Sequence, residues 1–530
     1  MVSNFSYAVL TPTDMRRTEE KAFALGVPSI LLMEHAAFTV VDELQKALGG
    51  DCKGKNVLFL CGTGNNGGDG LAAARLFLRR GGCPTVWLAG EPKTNDAKTN
   101  LAWLSLMDDA RILNLGEMPK EDWPFDEHHY PRETFDAYVD ALLGTGLWGA
   151  PEGLMDHLVC VPNAAQENKR VPVIAVDIPS GMDGATGQVY GNAVWADVTV
   201  TFHGPKPGLL LTPYGGRVGK TVVADIGLRQ MQDDGTLDID QPELRCRMLR
   251  PAALRRLGRR QRDAHKGDCG RVLIYAGNMG MAGAAAMCAK AAVTAGAGLT
   301  TIACDKEIIP VLQTLVPNAM CVDIQQAAKN SPAYDVLALG CGLGQSETVW
   351  KSILKLWNPD KKSVWDADAL NLLAKHPMKL GKHAVITPHP GEAARLLGWG
   401  IEKVQADRFI TARALAEAYD CIAVLKGSVT VICQMIDGTP SYFLNVVGSP
   451  ALAKGGSGDA LTGILAVCMH RPALTLANAA LACLWHGMAG IIGAEQYGER
   501  ELTTGQLINC LHEAERWGRG ERPAPKGWEE

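Results

Sequence analysis

No Cys-x-x-Cys pair occurs in the 530 residues, although the chain carries 15 cysteines. Scattered single cysteines exclude a disulfide-stapled scaffold and a zinc ribbon, and they imply the reduced thiols of a cytoplasmic protein. A basic excess is missing too, since 52 Lys and Arg stand against 57 Asp and Glu for a net charge of −5. Such a balance lacks the positive face that general nucleic-acid binding needs, so no nucleic-acid partner is expected. Also lacking is any stretch of about 18 apolar residues free of glycine or polar breaks, the length a membrane span requires. The opening MVSNFSYAVLTPTDMRRTEE has no apolar run suited to a secretion signal, so neither export nor a membrane partner is expected.

What is present belongs to a folded protein: 47% of residues are hydrophobic and 21% charged. Glycine is in excess, 58 residues with no Gly-X-Y period, which points to tight turns and close backbone approaches to ligand. At one domain per roughly 150 residues the length calls for two to four cores.

Apolar β-branched runs alternate with helical patterns twice along the chain, the mark of mostly parallel sheets covered by helices. The first series comprises NVLFLC at 56–61, TVWLA at 85–89, FDAYVDALLG at 135–144, VPVIAVDIPS at 171–180 and DVTVTF at 197–202, with helices expected at 69–80 and 96–108. A polar stretch follows Ile226 and ends in eight arginines between Arg245 and Arg262, read as a solvated connector between domains. The second series starts with RVLIYAG at 271–277 and runs through LTTIAC, YDVLALGCG, KHAVITPHPG and CIAVLKG. Within TVICQMIDGTPSYFL, Asp437 and Gly438 predict a hairpin, and the chain from 458 onward reads as helical.

The first chemical constellation is CGTGNNGGDG at 61–70, which follows a strand and opens a helix, where N–H groups and the helix dipole favour an anion. Gly62, Gly64 and Gly67 fit G-x-G-x-x-G, but the added Asn65, Asn66 and Asp69 require an answer from ligand, cation or water. DALLGTGLWGAP at 140–151 and DIPSGMDGATG at 177–187 bring further polar groups to strand ends. In a doubly wound sheet, Asp69, Asp140, Asp177 and Ser180 converge beyond those ends; the alternative is that Asp140 and Asp177 only cap turns.

With the helical segment MRRTEEKAFALGVPSILLMEHAA at 15–37, these motifs resemble the N-terminal domain of the YjeF family, the NAD(P)H-hydrate epimerases, over residues 10–227. The resemblance implies a Rossmann-like three-layer αβα domain. It implies that Asn65, Asn66, Gly67, Gly68 and Asp69, with Gly144, Thr145, Gly146, Leu147, Trp148, Gly149 and Ala150, contact the hydrated dinucleotide. Asp177 would lie at the damaged nicotinamide ring as the catalytic residue, and Asn66, Asp140 and Ser180 would hold a potassium ion. Cys61 and Thr63 sit where the family varies or favours proline, and neither removes a functional group.

In the second half, KGGSGDALTGILA at 454–466 sets a glycine loop ahead of a helix with Asp459 in its first turn. A carboxylate beside phosphate makes sense mainly as a base on a nearby hydroxyl; the alternative is that it complements the helix dipole. In TPHPGE, Pro390 suits the first helical position and Glu392 the first turn, leaving His389 on the loop at the crevice.

The glycine loop resembles the anion hole of the ribokinase-like superfamily, and within it the ADP-dependent NAD(P)H-hydrate dehydratases. That likeness spans 265–466 through HKGDCGRVLIYAGNMGMAGAAAMCAKAAVTAGAGL, LGCGLG, DADAL, TPHPGEAARLL, LKGSVT and KGGSGDALTG. It implies a ribokinase-like αβα domain in which Ala284, Gly342 and His389 contact substrate. Lys426, Gly427, Ser428, Val429, Thr430 and Gly458 would contact nucleotide, with Asp459 as the catalytic aspartate.

The expected organisation is an epimerase domain over 1–227, a linker over 228–250 and a dehydratase domain over 251–530. The resemblance implies a homo-oligomeric repair enzyme for NADHX and NADPHX that uses ADP as co-substrate, with potassium in the first domain and magnesium in the second. Two other readings stand beside it: a ribokinase-like vitamin or sugar kinase with an accessory domain, and a nucleotide-sensing module without turnover.

Overall fold

The computed structural model describes residues 5–146, 149–211, 217–228, 244–330, 333–471 and 475–528. Leu147 and Trp148, and most of the expected linker, lie outside the described residues. The chain divides into two compact units, Ala8–Leu244 and Arg245–Glu530, the second also taking residues 2–7.

The strands in chain order are β1 (Ser6–Ala8), β2 (Asn56–Cys61), β3 (Cys83–Leu88), β4 (Arg111–Asn114), β5 (Ala137–Ala141), β6 (Val173–Val176), β7 (Val198–Phe202) and β8 (Lys220–Ala224). They continue with β9 (Cys246–Leu249), β10 (Arg271–Tyr275), β11 (Leu299–Ala303), β12 (Met320–Val322), β13 (Val336–Leu339), β14 (Lys362–Trp365), β15 (Ala384–Ile386), β16 (Ile422–Leu425), β17 (Thr430–Ile436) and β18 (Thr439–Asn445).

In the first unit, seven strands form one sheet in the order β4-β3-β2-β5-β6-β7-β8, every pair parallel. The apolar run of β2 does not alternate with polar residues because both of its faces are covered. Val57, Phe59 and Cys61 pack in one core with the helices Ser29–Ala47 and Asn65–Arg79. Leu58 and Leu60 pack in the other with Trp87, Leu158 and Val159. The chain runs outward from β2 to β4 and returns to lay β5 beside β2, so the topological switch point, where a crevice opens, lies between β2 and β5.

The second unit carries eleven strands in the order β1-β9-β18-β17-β16-β15-β14-β13-β10-β11-β12. Its switch point lies between β10 and β13, bringing YAGNMG and LGCGLG together; the Gly277 amide donates to the Cys341 carbonyl at 2.9 Å. The expected hairpin is present: β17 and β18 pair antiparallel, with Asp437 and Gly438 at φ 50° and 75°.

Three expectations need correction. The segment 15–37 is not one helix but two, Pro12–Ala24 and Ser29–Ala47, broken where Gly26 takes a φ of 90° just ahead of Pro28. Cys246–Leu249, placed in the linker, is β9 of the second sheet, paired parallel with β18. A helix long and apolar enough to cross a membrane by length and composition does exist, Leu476–Tyr497, but 89% of that window is buried inside the structure. It forms part of the core of the second unit.

Candidate active sites

At the end of β2, Gly62 donates to the Ala141 carbonyl at 2.9 Å, and a Cβ on it would stand 1.9 Å from the Leu142 carbonyl oxygen. Only glycine lets the chain turn that close to the end of β5 before the helix Asn65–Arg79 begins. Gly67 and Gly68 are buried, the first against Gly62 and the second against Met33 and Ala97, so they pack the helix onto its neighbours. Asn65 is exposed at the mouth of the turn. The Asn66 amide oxygen lies over Gly144, where a Cβ would sit 3.1 Å from it. Its amide nitrogen is buried without a partner among the described residues.

Asp140, the fourth residue of β5, is fully buried. One carboxylate oxygen accepts the Ser180 hydroxyl at 2.6 Å and the other the Ser180 amide at 2.8 Å, so the ends of β5 and β6 are tied through this pair. Burial nevertheless pushes its carboxyl up to about 6. Asn66, Gly144, Asp140 and Ser180 therefore meet at the switch point, with Thr145 following half-buried and Gly146, Gly149 and Ala150 exposed.

Asp177 directly follows β6 in the left-handed region, at a φ of 64°, and its amide donates to the Val200 carbonyl at 2.7 Å. Strain of this kind persists where the surroundings fix it and clusters at functional sites. Lys206, which composition and motif spacing did not single out, places its ammonium 2.7 Å from Asp177 Oδ1 and has no exposed surface. Its signal in the sequence was a lone lysine between two prolines, shortly after β7. Two more carboxyls face this pair. Burial, with Asp177 and Glu19 nearby, holds Asp69 well above the usual carboxylate range. Burial likewise pushes Glu19, on the helix Pro12–Ala24, up to about 7 against the pull of Lys206.

The second site is built on β13, β14, β16 and the helix Ser457–Met469. After β13, Gly342 takes a φ of 63°, and a Cβ on it would stand 3.0 Å from Ala284 Cβ, so the two expected substrate contacts are neighbours. Asp366 directly follows β14, a strand the sequence reading passed over. One of its oxygens accepts Lys426 Nζ at 2.7 Å and the other the Thr462 hydroxyl at 2.9 Å. Burial opposes ionisation of Asp366, but Lys426 and these hydrogen bonds outweigh it and hold the carboxyl below its usual range. For Lys426, burial is overcome by Asp366 and Glu392, and the ammonium is held above its usual range.

Asp459 sits in the first turn of the helix Ser457–Met469, preceded by Gly456 at a φ of 89°. Burial pushes it up to about 6, the Cys341 thiol lowering and the Asp366 charge raising it. A Cβ on Gly458 would stand 3.6 Å from both Asp366 Oδ2 and Lys426 Nζ, which puts the glycine loop against the ion pair. The Ser457 hydroxyl is pinned by the buried ring of His486 at 3.2 Å. Burial drops His486 to about 4, so the ring is neutral near pH 7.

His389 caps the helix Pro390–Leu397 in a capping box, its ring accepting the Gly391 amide at 3.0 Å and its amide donating to Glu392 at 2.8 Å. Arg408 was missed by the sequence reading. Its guanidinium donates to the carbonyls of Leu425, Lys426 and Val429 at 3.0, 3.1 and 3.0 Å, so it shapes the loop that presents Gly427 and Ser428 to solvent and leads into Thr430 at the start of β17.

Two α/β units, each with glycine-lined turns and a buried aspartate directly after a parallel strand, define a two-domain enzyme of the nucleotide-handling kind. Residues 29–208 match the family described as YjeF-related protein N-terminus, and residues 272–512 match NAD(P)H-hydrate dehydratase. The chain is 36% identical over 510 residues to a bifunctional NAD(P)H-hydrate repair enzyme Nnr of Moorella thermoacetica, covering 92% of each chain. It is 35% identical to the enzyme of the same name from Escherichia coli, covering 94% of this chain and 92% of that one. It is also 29% identical to a solved structure of the ADP/ATP-dependent NAD(P)H-hydrate dehydratase from Bacillus subtilis, covering 51% of this chain and 97% of that one, with a TM-score of 0.46. The chain belongs to the family of bifunctional NAD(P)H-hydrate repair enzymes.

Proposed function

We propose that the first unit interconverts the R and S forms of hydrated NADH and NADPH, and that the second returns the S form to NAD(P)H while ADP is converted to AMP and phosphate. The observation that carries this reading is likeness to repair enzymes across both units at once, 510 residues in a single match. A small-molecule kinase with an accessory domain has no use for the second set of buried aspartates in the first unit.

In the second unit the hydroxyl to be lost is a poor leaving group. Phosphoryl transfer to it from ADP, followed by elimination of phosphate, lowers that barrier. Asp459 is the base for the hydroxyl proton, since a carboxyl titrating at about 6 is mostly ionised near neutral pH yet basic enough to accept it. The amides of the loop at 455–458 meet the transferring phosphoryl group, with Lys426 behind them. Cys341, Asp366 and Asp459 place ligand atoms within 4.8 Å of one another, but a thiol is a poor magnesium donor and one Asp366 oxygen is held by the Lys426 ammonium. This set does not fit a magnesium held by side chains, and magnesium is assigned no step.

In the first unit Asp177 meets the damaged ring, and the turns at 65–69 and 144–150 hold the dinucleotide. Asn66, Asp140 and Ser180 suit a potassium ion: they offer oxygen donors, and among the described residues no cationic side chain acts on the buried Asp140. Bound there, potassium supplies a fixed positive charge at the switch point.

The test is to supply mixed NADHX epimers and follow NADH recovery and epimer exchange, with and without ADP. Asp459→Asn is expected to abolish recovery and leave exchange intact, and Asp177→Asn to do the reverse. A folded variant of either kind that loses both activities would sink the two-site assignment.

A further inference from the structure

Lys206 is one of the largest fully buried side chains of the protein, and its ammonium has three N–H donors to place. All three are used, by Asp177 Oδ1 at 2.7 Å, the Thr201 hydroxyl at 3.0 Å and the Phe202 carbonyl at 3.0 Å. The lysine therefore has no donor left for a ligand. Asp177 Oδ1 also accepts the Thr201 hydroxyl at 3.2 Å, while among the described residues no hydrogen bond reaches Oδ2. The Asp177 side chain keeps 10% of its surface exposed, and Oδ2 is its oxygen without a hydrogen bond among the described residues. The segment carrying Lys206 is itself anchored, with the Leu10 amide donating to the Pro205 carbonyl at 3.0 Å and the helix Pro207–Leu211 starting next.

Resting on the epimerase reading of the first unit, we propose that Lys206 is a positioning residue of that reaction. It occupies one oxygen of Asp177, fixes the orientation of the carboxylate, and leaves the other oxygen to stabilise a positive charge formed on the nicotinamide ring. The chemistry requires such a charge. The C6–O bond breaks with its electron pair leaving on oxygen, the ring nitrogen lone pair forms the C6=N1 bond, and the ring becomes cationic. Water then adds to the opposite face of C6. The proton taken up by the departing hydroxyl is matched by the proton shed by the entering water, so no oxidant or cofactor is consumed.

Other titratable groups face this pair: Glu19 from the helix Pro12–Ala24, Asp69 from the helix Asn65–Arg79 and His203 after the end of β7. Burial pushes both Asp69 and Glu19 up, whereas Asp177 is the carboxyl in direct contact with Lys206.

The experiment uses the full chain in an Asp459→Asn background, so that conversion of the R to the S epimer is followed chromatographically without dehydration. Lys206→Met is expected to lower kcat at least 100-fold while KM stays within about threefold. Because Lys206 acts through Asp177, the Lys206→Met/Asp177→Asn double variant is expected to be no slower than Asp177→Asn alone. Lys206→Arg, which keeps the charge, is expected to regain at least tenfold over Lys206→Met, and it decides the matter by its kcat against wild type if the methionine variant does not fold. A kcat within fivefold of wild type for Lys206→Met, a loss confined to KM, or losses that multiply in the double variant would each overturn the proposal. A chain with Lys206 intact that fails to exchange the epimers overturns instead the epimerase reading itself.

Discussion

Lys426 and Asp366 form a 2.7 Å ion pair between the ends of β16 and β14, with the Asp366 side chain 3% exposed and that of Lys426 22% exposed. The first unit has the same device in Asp177 and Lys206 at the ends of β6 and β7. In each case an aspartate that immediately follows a parallel strand is paired with a lysine that follows another strand of the same sheet, adjacent in the first unit and one strand removed in the second, where β15 lies between. The second unit differs in that its paired aspartate is saturated by hydrogen bonds, and the neighbouring Asp459 is left for chemistry.

Removing one partner of a buried pair leaves a charge with nothing to answer it, at a cost of about 3–5 kcal/mol. Lys426→Met is therefore expected to lower the thermal transition of the second unit strongly, and Lys426→Met/Asp366→Asn to recover at least half of the loss. Differential scanning calorimetry of the two variants checks it. A double variant no more stable than the single would show that Lys426 acts by packing alone.

Because Asp459 is pushed up to about 6, its activity as a base has a limit in the mildly acidic range rather than near pH 4. Below that value the carboxyl carries a proton and cannot take another, so kcat/KM for dehydration is expected to fall about tenfold per pH unit. A profile over pH 4.5–8 locates the limb. A flat profile down to pH 4.5 would remove Asp459 from the role of base.

The same displacement has a consequence for stability. Asp459 ionises less readily in the folded protein than in the unfolded chain, so its charge opposes folding once the pH exceeds the ordinary aspartate value. The penalty sets in between about pH 4 and 6 and is complete above that, amounting to at most about 3 kcal/mol at 1.36 kcal/mol per pKa unit. Asp459→Asn is expected to raise the melting temperature of the second unit at pH 7.5 and to lose that advantage at pH 4. An aspartate that costs stability in the folded protein fits a functional group better than a complement to the helix dipole.

How much of this was legible beforehand depends on what each residue is required to do locally. Gly62, Gly342 and Asp459 announce themselves because a turn or a helix start fixes the residue type in a short window. The hairpin at Asp437 and Gly438 was readable for the same reason. Lys206 and Arg408 were not, and Asp366 stood in the DADAL motif with no role assigned, since their partners lie 29, 17 or more and 60 residues away in sequence. Only strand order brings them together, and a lone lysine between prolines carries no periodicity. The run at 15–37 was misread as continuous because its apolar spacing persists across the break at Gly26.

The last prediction concerns Asp140. This fully buried carboxylate, on which no cationic side chain acts among the described residues, is raised to about 6, a cost that a bound monovalent cation would remove. Potassium is therefore expected to raise the melting temperature of the first unit, by an amount that follows ligand linkage and reaches about 2.7 kcal/mol at a hundred times its Kd. The sign with pH is fixed by the same displacement: below about 6 a proton competes for Asp140, so the stabilisation fades as the pH falls. Asp140→Asn removes the charge but keeps an oxygen, and it is expected to weaken the potassium effect while leaving dehydration by the second unit unchanged. Thermal melts in potassium, sodium and lithium chloride at pH 5 and 7.5 test each part. Equal transitions in all three salts at pH 7.5 would show that Asn66, Asp140 and Ser180 hold no ion, and would leave the Ser180 hydroxyl and amide as the whole answer to the buried charge.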